Sequence, residues 1–530
     1  MNKKQIPYQQ TGYFSKLMAD YLAEAANLKP FYNHTCNIDS FTHIIEERKK
    51  LPINRTVLTA ALSQQYQNVE ISESTKTNIQ NLNNDNCFTV TTGHQLNLFT
   101  GPLYFIYKIV SAINLAKELK ANYPANDFVP VYWMATEDHD FEEINHFNLF
   151  KKRYQLTNSK KGAVGKMELE GVEELLTELK TDLGDRKDAD EILALFSKFY
   201  IKENTYAAAI KGIVNELFSQ YGLVIIDGDD SKLKSLFVEE FRNEILERKN
   251  HQFINKTSEK LKALGFKPQV TPREINIFYL QEGLRERIVF EEEKYKVLNT
   301  EIEFSEAEIL EELNNHPERF SPNAPMRCMY EEKILPNLAY IGGGGELAYW
   351  LQLKAMFDAN AISYPILILR NSVIFIDKGS AKCISKLGIK ETDLFMDKDS
   401  IVKNYLKKNS DLVLELKDEE ERIEVLFEDI IQKAGKVDVT LQPMIKAELQ
   451  KSLKALKNIE QRLMKAEKQK QEVTVNQIKN LKEKLFPNNS LQERHDNVIT
   501  LLLFYGKDVI DELVNHLHPL EKQFSILEQE

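Results

Sequence analysis

A short apolar run, Cys87-Phe88-Thr89-Val90, precedes a polar stretch bounded by glycines. Then Leu103, Ile106, Ile109, Val110, Ile113 and Ala116 recur at helical spacing. A second apolar run over 129–135 closes on Thr136-Glu137-Asp138-His139-Asp140. The pattern predicts strand, loop, helix, strand, which is one βαβ unit. Its two polar loops fall at the C-terminal ends of its strands, the edge where open α/β sheets bind ligands. Pro102 suits the first helical turn, where its missing N–H would have no partner. Leu223-Val224-Ile225-Ile226 reads as a further parallel strand ending in Asp227-Gly228-Asp229, and 366–369 and 373–376 as two more strands.

Around this core, residues 1–85 read as mostly helical, with periodic faces at 14–22, 38–48 and 56–66. A stretch of short strands and turns begins at 151, around Gly162, Gly165 and Gly171, and suggests an inserted module at about 151–200. The β-like runs 275–280, 287–290 and 295–298 suggest a second, antiparallel one at about 265–304. Ser305 with Glu308 three residues on has the pattern of a capping box. Residues 380–430 read as helical and charged. From 445 to 485 the residues Ile445, Leu449, Ser452, Leu456, Ile459, Leu463 and Ala466 step by alternating fours and threes, a coiled-coil seam. Forty residues of helix at about 1.5 Å each would make an arm of ~60 Å. A helix around 421–431 is its expected antiparallel partner. Helices are expected over 490–525, with 501–505 as a buried anchor.

At 530 residues the chain is too long for one simple core. Hydrophobic residues are 42% and charged residues 28%, ordinary for a globular protein. A net charge of −11 and a pI near 5.6 argue against a general nucleic-acid binder but leave room for a small basic pocket. No run approaches the roughly 20 apolar residues of a membrane span, and the N-terminal Lys3 and Lys4 have no apolar segment behind them, so no signal peptide is expected. Cys36, Cys87, Cys328 and Cys383 are widely spaced. They read as reduced thiols of a cytoplasmic protein.

Candidate chemistry lies at the strand ends. The loop after the first strand offers N–H groups at a helix start, where the dipole favours phosphate or carboxylate. It is neither GxGxxG nor a P-loop, and the plainer reading is a glycine turn. Three carboxylates and an imidazole at 137–140 call for a cation, Mg²⁺ among them, or a general base; the plainer reading is a capped surface turn. Gly342-Gly343-Gly344-Gly345 before Glu346 lets backbone approach a ligand or serves as a hinge. Arg327 and Arg370 suit an anion clamp or a structural carboxylate.

Five motifs in order, Thr92-Gly93-His94-Gln95 with Thr100-Gly101-Pro102-Leu103-Tyr104, the 130–146 run through Glu137-Asp138-His139-Asp140, Arg319-Phe320-Ser321-Pro322-Asn323, Gly345-Glu346-Leu347-Ala348-Tyr349-Trp350 and Leu491-Gln492-Glu493-Arg494, resemble the bacillithiol biosynthesis family BshC, the cysteine ligases. The resemblance covers essentially the whole chain. It implies an α/β fold with a Rossmann-like parallel-sheet core similar to class I aminoacyl-tRNA synthetases and nucleotidyl transferases, two inserted connecting modules, and a long α-helical coiled-coil domain that makes a homodimer. The expected division is a core over 1–380, a helical coiled-coil domain over 381–490, and C-terminal helices over 491–530 that pack back on the core.

The implied reaction is amide formation between cysteine and the amine of glucosaminyl-malate, with ATP or another nucleotide involved; Mg²⁺ is the metal that the acidic turn at Asp138, His139 and Asp140 would hold if it does not supply the base. Neither nucleic acid nor membrane is an expected partner. On this reading His139, Asp138, Asp140 and Gln95 are the catalytic candidates, His139 as base because its pKa is near neutral. Thr92, Gly93, His94, Asn97, Thr100, Gly101, Arg327, Gly344, Gly345, Glu346, Tyr349 and Trp350 are the candidates for binding substrate or nucleotide, although Tyr349 and Trp350 also suit core packing. No residue is assigned as a metal ligand. Two competitors stand beside this: a nucleotidyl transferase on a similar core, and a non-catalytic coiled-coil scaffold, which would not need an acidic turn and a glycine cradle at adjacent strand ends.

Overall fold

A computed structural model describes residues 1–157, 160–410 and 415–529. Residues 158–159 of the first expected module and 411–414 of the charged helical stretch lie outside the described residues. The sheet at the centre has five strands: β1 (Cys87–His94), β2 (Asp127–Met134), β3 (Val224–Asp227), β4 (Asn337–Gly342) and β5 (Ile366–Leu369). Their order is β5-β4-β1-β2-β3, and every neighbouring pair is parallel. This is the strand order of a Rossmann sheet, with the switch point between β1 and β4. Strands covered on both faces need no alternation of apolar and polar residues, so they appear in the sequence as short, mostly apolar runs, with small threonines in β1. Helix α1 (Tyr104–Asn122) crosses from β1 to β2 and is buried on nearly every side through Ala116.

Two further helices bear on the site: α2 (Ala324–Ile334), capped by Asn323, and α3 (Gly344–Ala359), which opens at the glycine run. The expected antiparallel module is a meander of Ile277–Gln281, Leu284–Glu291, Lys294–Val297 and Glu303–Phe304, with Phe320–Pro322 added beside the first strand. The first module begins with the hairpin His146–Leu149 and Lys152–Gln155 and continues as helices. The capping box at Ser305 and Glu308 forms as expected.

Three expectations are corrected. The N-terminal region is not helical from its start: Asn2–Pro7 pairs antiparallel with Gln523–Glu528, which in turn pairs parallel with Val373–Ile376. These strands meet from opposite ends of the chain, so no local period marks them. The anchor at 501–505 is buried only in part, since Phe504 is 53% exposed. The arm is not one continuous helix. Helices α4 (Lys417–Val437) and α5 (Gln442–Lys470) form a hairpin, and the chain is interrupted at Gln471 before α6 (Glu472–Leu485). Twenty-nine residues in α5 make an arm of about 44 Å. Along the heptad seam Ile445 is buried, but Ile459 and Leu463 are 51% and 39% exposed.

Candidate active-site cleft

β1 and β4 end side by side, and a cleft of about 630 Å³ opens above them. Gly93 is the last residue of β1 but one. A side chain there would press on Tyr340 Oη and Arg327 Nη1 at 3.2 and 3.3 Å, so glycine permits the close approach. His94 follows, its ring stacked on Phe105 and edge-on to Tyr104. Its Nε2 is buried without a partner. Burial, then the charges of Lys108 and Arg370, holds this imidazole well below its usual pKa, so it is neutral.

Lys108, one turn into α1, is buried and donates to the Gly93 carbonyl at 2.5 Å and to Glu346 Oε1 at 2.7 Å. Glu346 Oε2 accepts from the Gly343 N–H at 2.7 Å, where α3 begins. One ion pair, its lysine buried and its glutamate partly exposed at the cleft, therefore joins the ends of β1 and β4 across the switch point. Arg327 on α2 donates to Glu331 Oε2 at 3.2 Å and to Tyr349 Oη at 3.0 Å. Glu331 is buried with its other oxygen unpartnered, and burial pushes its pKa up to about 8.

The other wall is the turn after β2. Gln95 Nε2 reaches over from the β1 side to donate to Asp138 Oδ2 at 2.8 Å and to Glu143 Oε2 at 2.8 Å. The two sheet-edge turns thus meet directly. Burial alone would raise the Asp138 pKa. Donation from Gln95, the Arg285 charge and the N–H groups of His139 and Asp140 outweigh it, so the carboxyl stays below its usual range. Glu137 has its cation in Lys234, a fully buried lysine that pairs with Glu137 Oε1 at 2.6 Å and Asp229 Oδ1 at 3.0 Å. Like charges this close need such a counter-charge. A cation that the acidic turn calls for is supplied by the chain itself. Among the described residues no group of three or more His, Cys, Asp or Glu is arranged to hold a metal ion.

The sequence-expected residues divide in two. Gly93, His94, Gln95, Asp138, Arg327, Gly344, Gly345, Glu346 and Tyr349 line the cleft. Thr92, Asn97, Thr100, Gly101 and Trp350 stand behind its wall. Thr92 Oγ1 donates to the Ile341 carbonyl at 2.8 Å inside the sheet. Asn97 and Thr100 are buried in the turn that leads to α1, where Phe99, Thr100 and Gly101 all have positive φ. Trp350 packs in the core against Tyr340, Phe357 and Tyr364. His139 and Asp140 lie at the rim, outside the lining. The His139 Nδ1 accepts from Arg285 Nη1 at 2.6 Å, which puts the ring proton on Nε2. Burial and the Arg285 charge lower its pKa against the pull of Asp138 and Asp140.

Four cations in or beside the cleft were not expected there. Lys108 carried a signal, being a lone charge inside an apolar helix. Lys234, Arg285 and Arg494 carried none in their spacing, since each reaches the site through tertiary packing.

Two family sequence models match the chain: the N-terminal Rossmann-like domain of the bacillithiol biosynthesis protein BshC over residues 1–371, and the C-terminal coiled-coil domain of BshC over residues 373–529. Relatives named "Putative cysteine ligase BshC" are similar over nearly their full length. That of Flavobacterium johnsoniae is 46% identical, covering 98% of this chain and 99% of its own. That of Christiangramia forsetii is 43% identical, covering 98% of each chain. That of Bacillus cereus strain AH187 is 28% identical, covering 99% and 98%.

Proposed function

The chain belongs to the BshC family of bacillithiol biosynthesis, and from that premise we propose that it is a ligase joining the carboxyl group of cysteine to the amine of glucosaminyl-malate. The observation that carries this reading is one cleft lined by groups of both charges: Lys108, Arg327, Arg370 and Arg494 with Glu346 among them, and Glu137 and Asp138 with Arg285 beside them. An amide-forming enzyme must hold an anionic acyl donor and an amine that arrives as a cation, and such a lining suits that pair.

The carboxylate oxygen of cysteine is not a leaving group until it has attacked a phosphorus of a nucleotide such as ATP, forming an O–P bond while the P–O bond to the rest of the nucleotide breaks and that part departs. The amine nitrogen, once deprotonated, then attacks the activated carbonyl carbon and loses its second proton, and the carboxyl oxygen leaves with the phosphoryl or nucleotidyl group. The cations of the lining would offset the charge on the departing side. Asp138, kept ionised at neutral pH, holds the ammonium until its proton is lost. With Nδ1 engaged by Arg285, His139 acts from the rim through its Nε2, and it takes the base role only when Arg285 releases Nδ1. Mg²⁺ belongs with the phosphates of the nucleotide in this reading, because Glu137 is committed to Lys234. Four free cysteines without a disulfide among the described residues fit a cytoplasmic site for the reaction.

Purified protein with cysteine, glucosaminyl-malate and ATP should give the amide product by mass spectrometry, and no product when any one is left out. Pyrophosphate release from ATP without cysteine would instead support the nucleotidyl transferase reading. Absence of both reactions would leave the scaffold.

A further inference from the structure

The segment 491–497 returns from the coiled-coil arm to the switch point, where Gln492, Glu493, Asp496 and Asn497 bond to the core. Gln492 Oε1 accepts from the Phe375 N–H at 2.9 Å. Glu493 is fully buried and accepts from Arg370 Nη2 at 2.7 Å, Ser372 Oγ at 3.1 Å and the Val373 N–H at 3.0 Å. Asn497 Nδ2 donates to the carbonyls of Phe99 and Gly101 at 2.7 and 2.8 Å. Between these anchors Arg494 points into the cleft. It is exposed and has no hydrogen-bond or ion-pair partner for its guanidinium among the described residues.

Arg370, immediately after β5, faces the same corner. Its Nη1 and Nη2 are fully engaged by Asn371, Ser372 and Glu493. Its Nε is buried without a partner, on a side chain only 4% exposed. That nitrogen lies 3.8 Å from where a side chain on Gly343 would begin. The corner is closed by the first turn of α3. There Gly344 and Gly345 carry N–H groups with no carbonyl a turn earlier to meet them. A side chain on Gly345 would meet no atom within 4 Å, so this face is open toward the cleft. Three independent donors therefore converge on one volume: a helix N-terminus, a buried guanidinium N–H without an acceptor, and a free guanidinium. Among the described residues no carboxylate meets Arg370 Nε or the Arg494 guanidinium.

We propose that Arg494, together with Arg370 Nε and the Gly344-Gly345 turn, forms an anion subsite that takes a carboxylate of the acceptor substrate, and that Arg494 sets its specificity for a dicarboxylate. The choice of ligand rests on the ligase reading above; the subsite itself does not. A planar fork suits a carboxylate bidentately. The position of Arg494 on the C-terminal segment means that the Rossmann-like half does not complete the subsite by itself. A phosphate carries the same chemistry, and binding can tell the two sources apart.

The test uses the full-length chain as wild type, Arg494→Ala and Arg494→Lys, with malate and ADP as separate probes in calorimetry. Circular dichroism and thermal melting check the fold, which an exposed arginine without partners should not alter. The expected result is a loss of malate affinity of at least tenfold in Arg494→Ala, only partly restored by Arg494→Lys, with ADP affinity changed less than twofold. Loss of ADP affinity with malate unaffected would keep the anion subsite and overturn the carboxylate assignment. Unchanged affinity for both would overturn the subsite. Because the probes bind without turnover, failure of the ligase assay on wild type and failure of this subsite are separate outcomes.

Discussion

At the scale of single residues, the two most testable positions are a glycine and an aspartate. Gly345 lies in the first turn of α3, has no positive φ, and faces open space. Alanine is the better helix former, so Gly345→Ala should leave the melting temperature unchanged or raise stability by up to about 1 kcal/mol. The added methyl group stands where an anion would approach the helix N-terminus. Turnover with the full substrate set should therefore fall at least tenfold, chiefly through KM; equal activity in a folded variant would show that the turn is a hinge only. Asp227 is the opposite case, a carboxyl placed for structure. It ends β3, accepts from Thr136 Oγ1 and from the Asp229 N–H, and faces Glu137 and Asp229 across the turn, with Lys211 nearby. Burial pushes its pKa up to about 6 from 3.8. The folded state then binds the proton more tightly than the unfolded state, so its contribution is present below pH 3.8 and is lost as pH rises to about 6. Asp227→Asn removes that loss. Relative to wild type, urea denaturation should show it stabilised by about 2–3 kcal/mol above pH 6, with the difference vanishing toward pH 4. The acidic character of both turns was legible in the sequence. Their division into Asp138 and Glu137 at the cleft, the latter paired with Lys234, and Asp227, held by Thr136 behind it, was not, because Lys234 and Thr136 reach them only through the fold.

At the scale of elements, the apolar runs and glycines located β1, β2, β3 and β5 and the starts of α1 and α3 because each is specified by its own residues; β4 was not among the expected strands, since its Asn337-Leu338-Ala339-Tyr340-Ile341-Gly342 is short and runs straight into the glycines. What failed were pairings across the whole sequence. Asn2–Pro7 has mostly polar residues and becomes a strand because Gln523–Glu528 offers it an edge. The segment 491–497 shows the same rule at the site. Its motif could be noticed but not placed, since its partners lie about 120 and 400 residues away. Asn497 holds the Phe99–Gly101 turn, whose positive φ angles at two non-glycine residues need support from outside. Asn497→Ala removes both bonds and leaves two buried carbonyls without these donors. A loss of about 1–3 kcal/mol is expected, together with faster amide exchange at 99–103. Unchanged exchange there would mean that the turn is held by its own packing, with Tyr200 Oη on the Phe99 N–H as the remaining tie.

At the scale of the whole molecule, the arm carries the last argument. Its seam was read from a heptad, and the hairpin of α4 and α5 uses only part of it. Ile459 and Leu463 on α5, with Val425, Leu426 and Ile430 on α4, remain exposed. Apolar residues sustained along two helices and left in water are the mark of an interface with another chain. No residue of α4, α5 or α6 lines the cleft, which separates the arm from the chemistry. The protein should therefore run in light scattering at twice 61.4 kDa. A variant carrying Leu426→Glu and Ile459→Glu should run at 61.4 kDa, since each charge would have to be buried without a partner. Per-chain turnover should persist in that variant, because no lining residue is on the arm. A monomeric wild type would make the apolar stripe a site for some other partner. A monomeric variant with a folded core but no turnover would show that the arm reaches the cleft through the segment 491–497, whose position at its far end depends on α5 and α6.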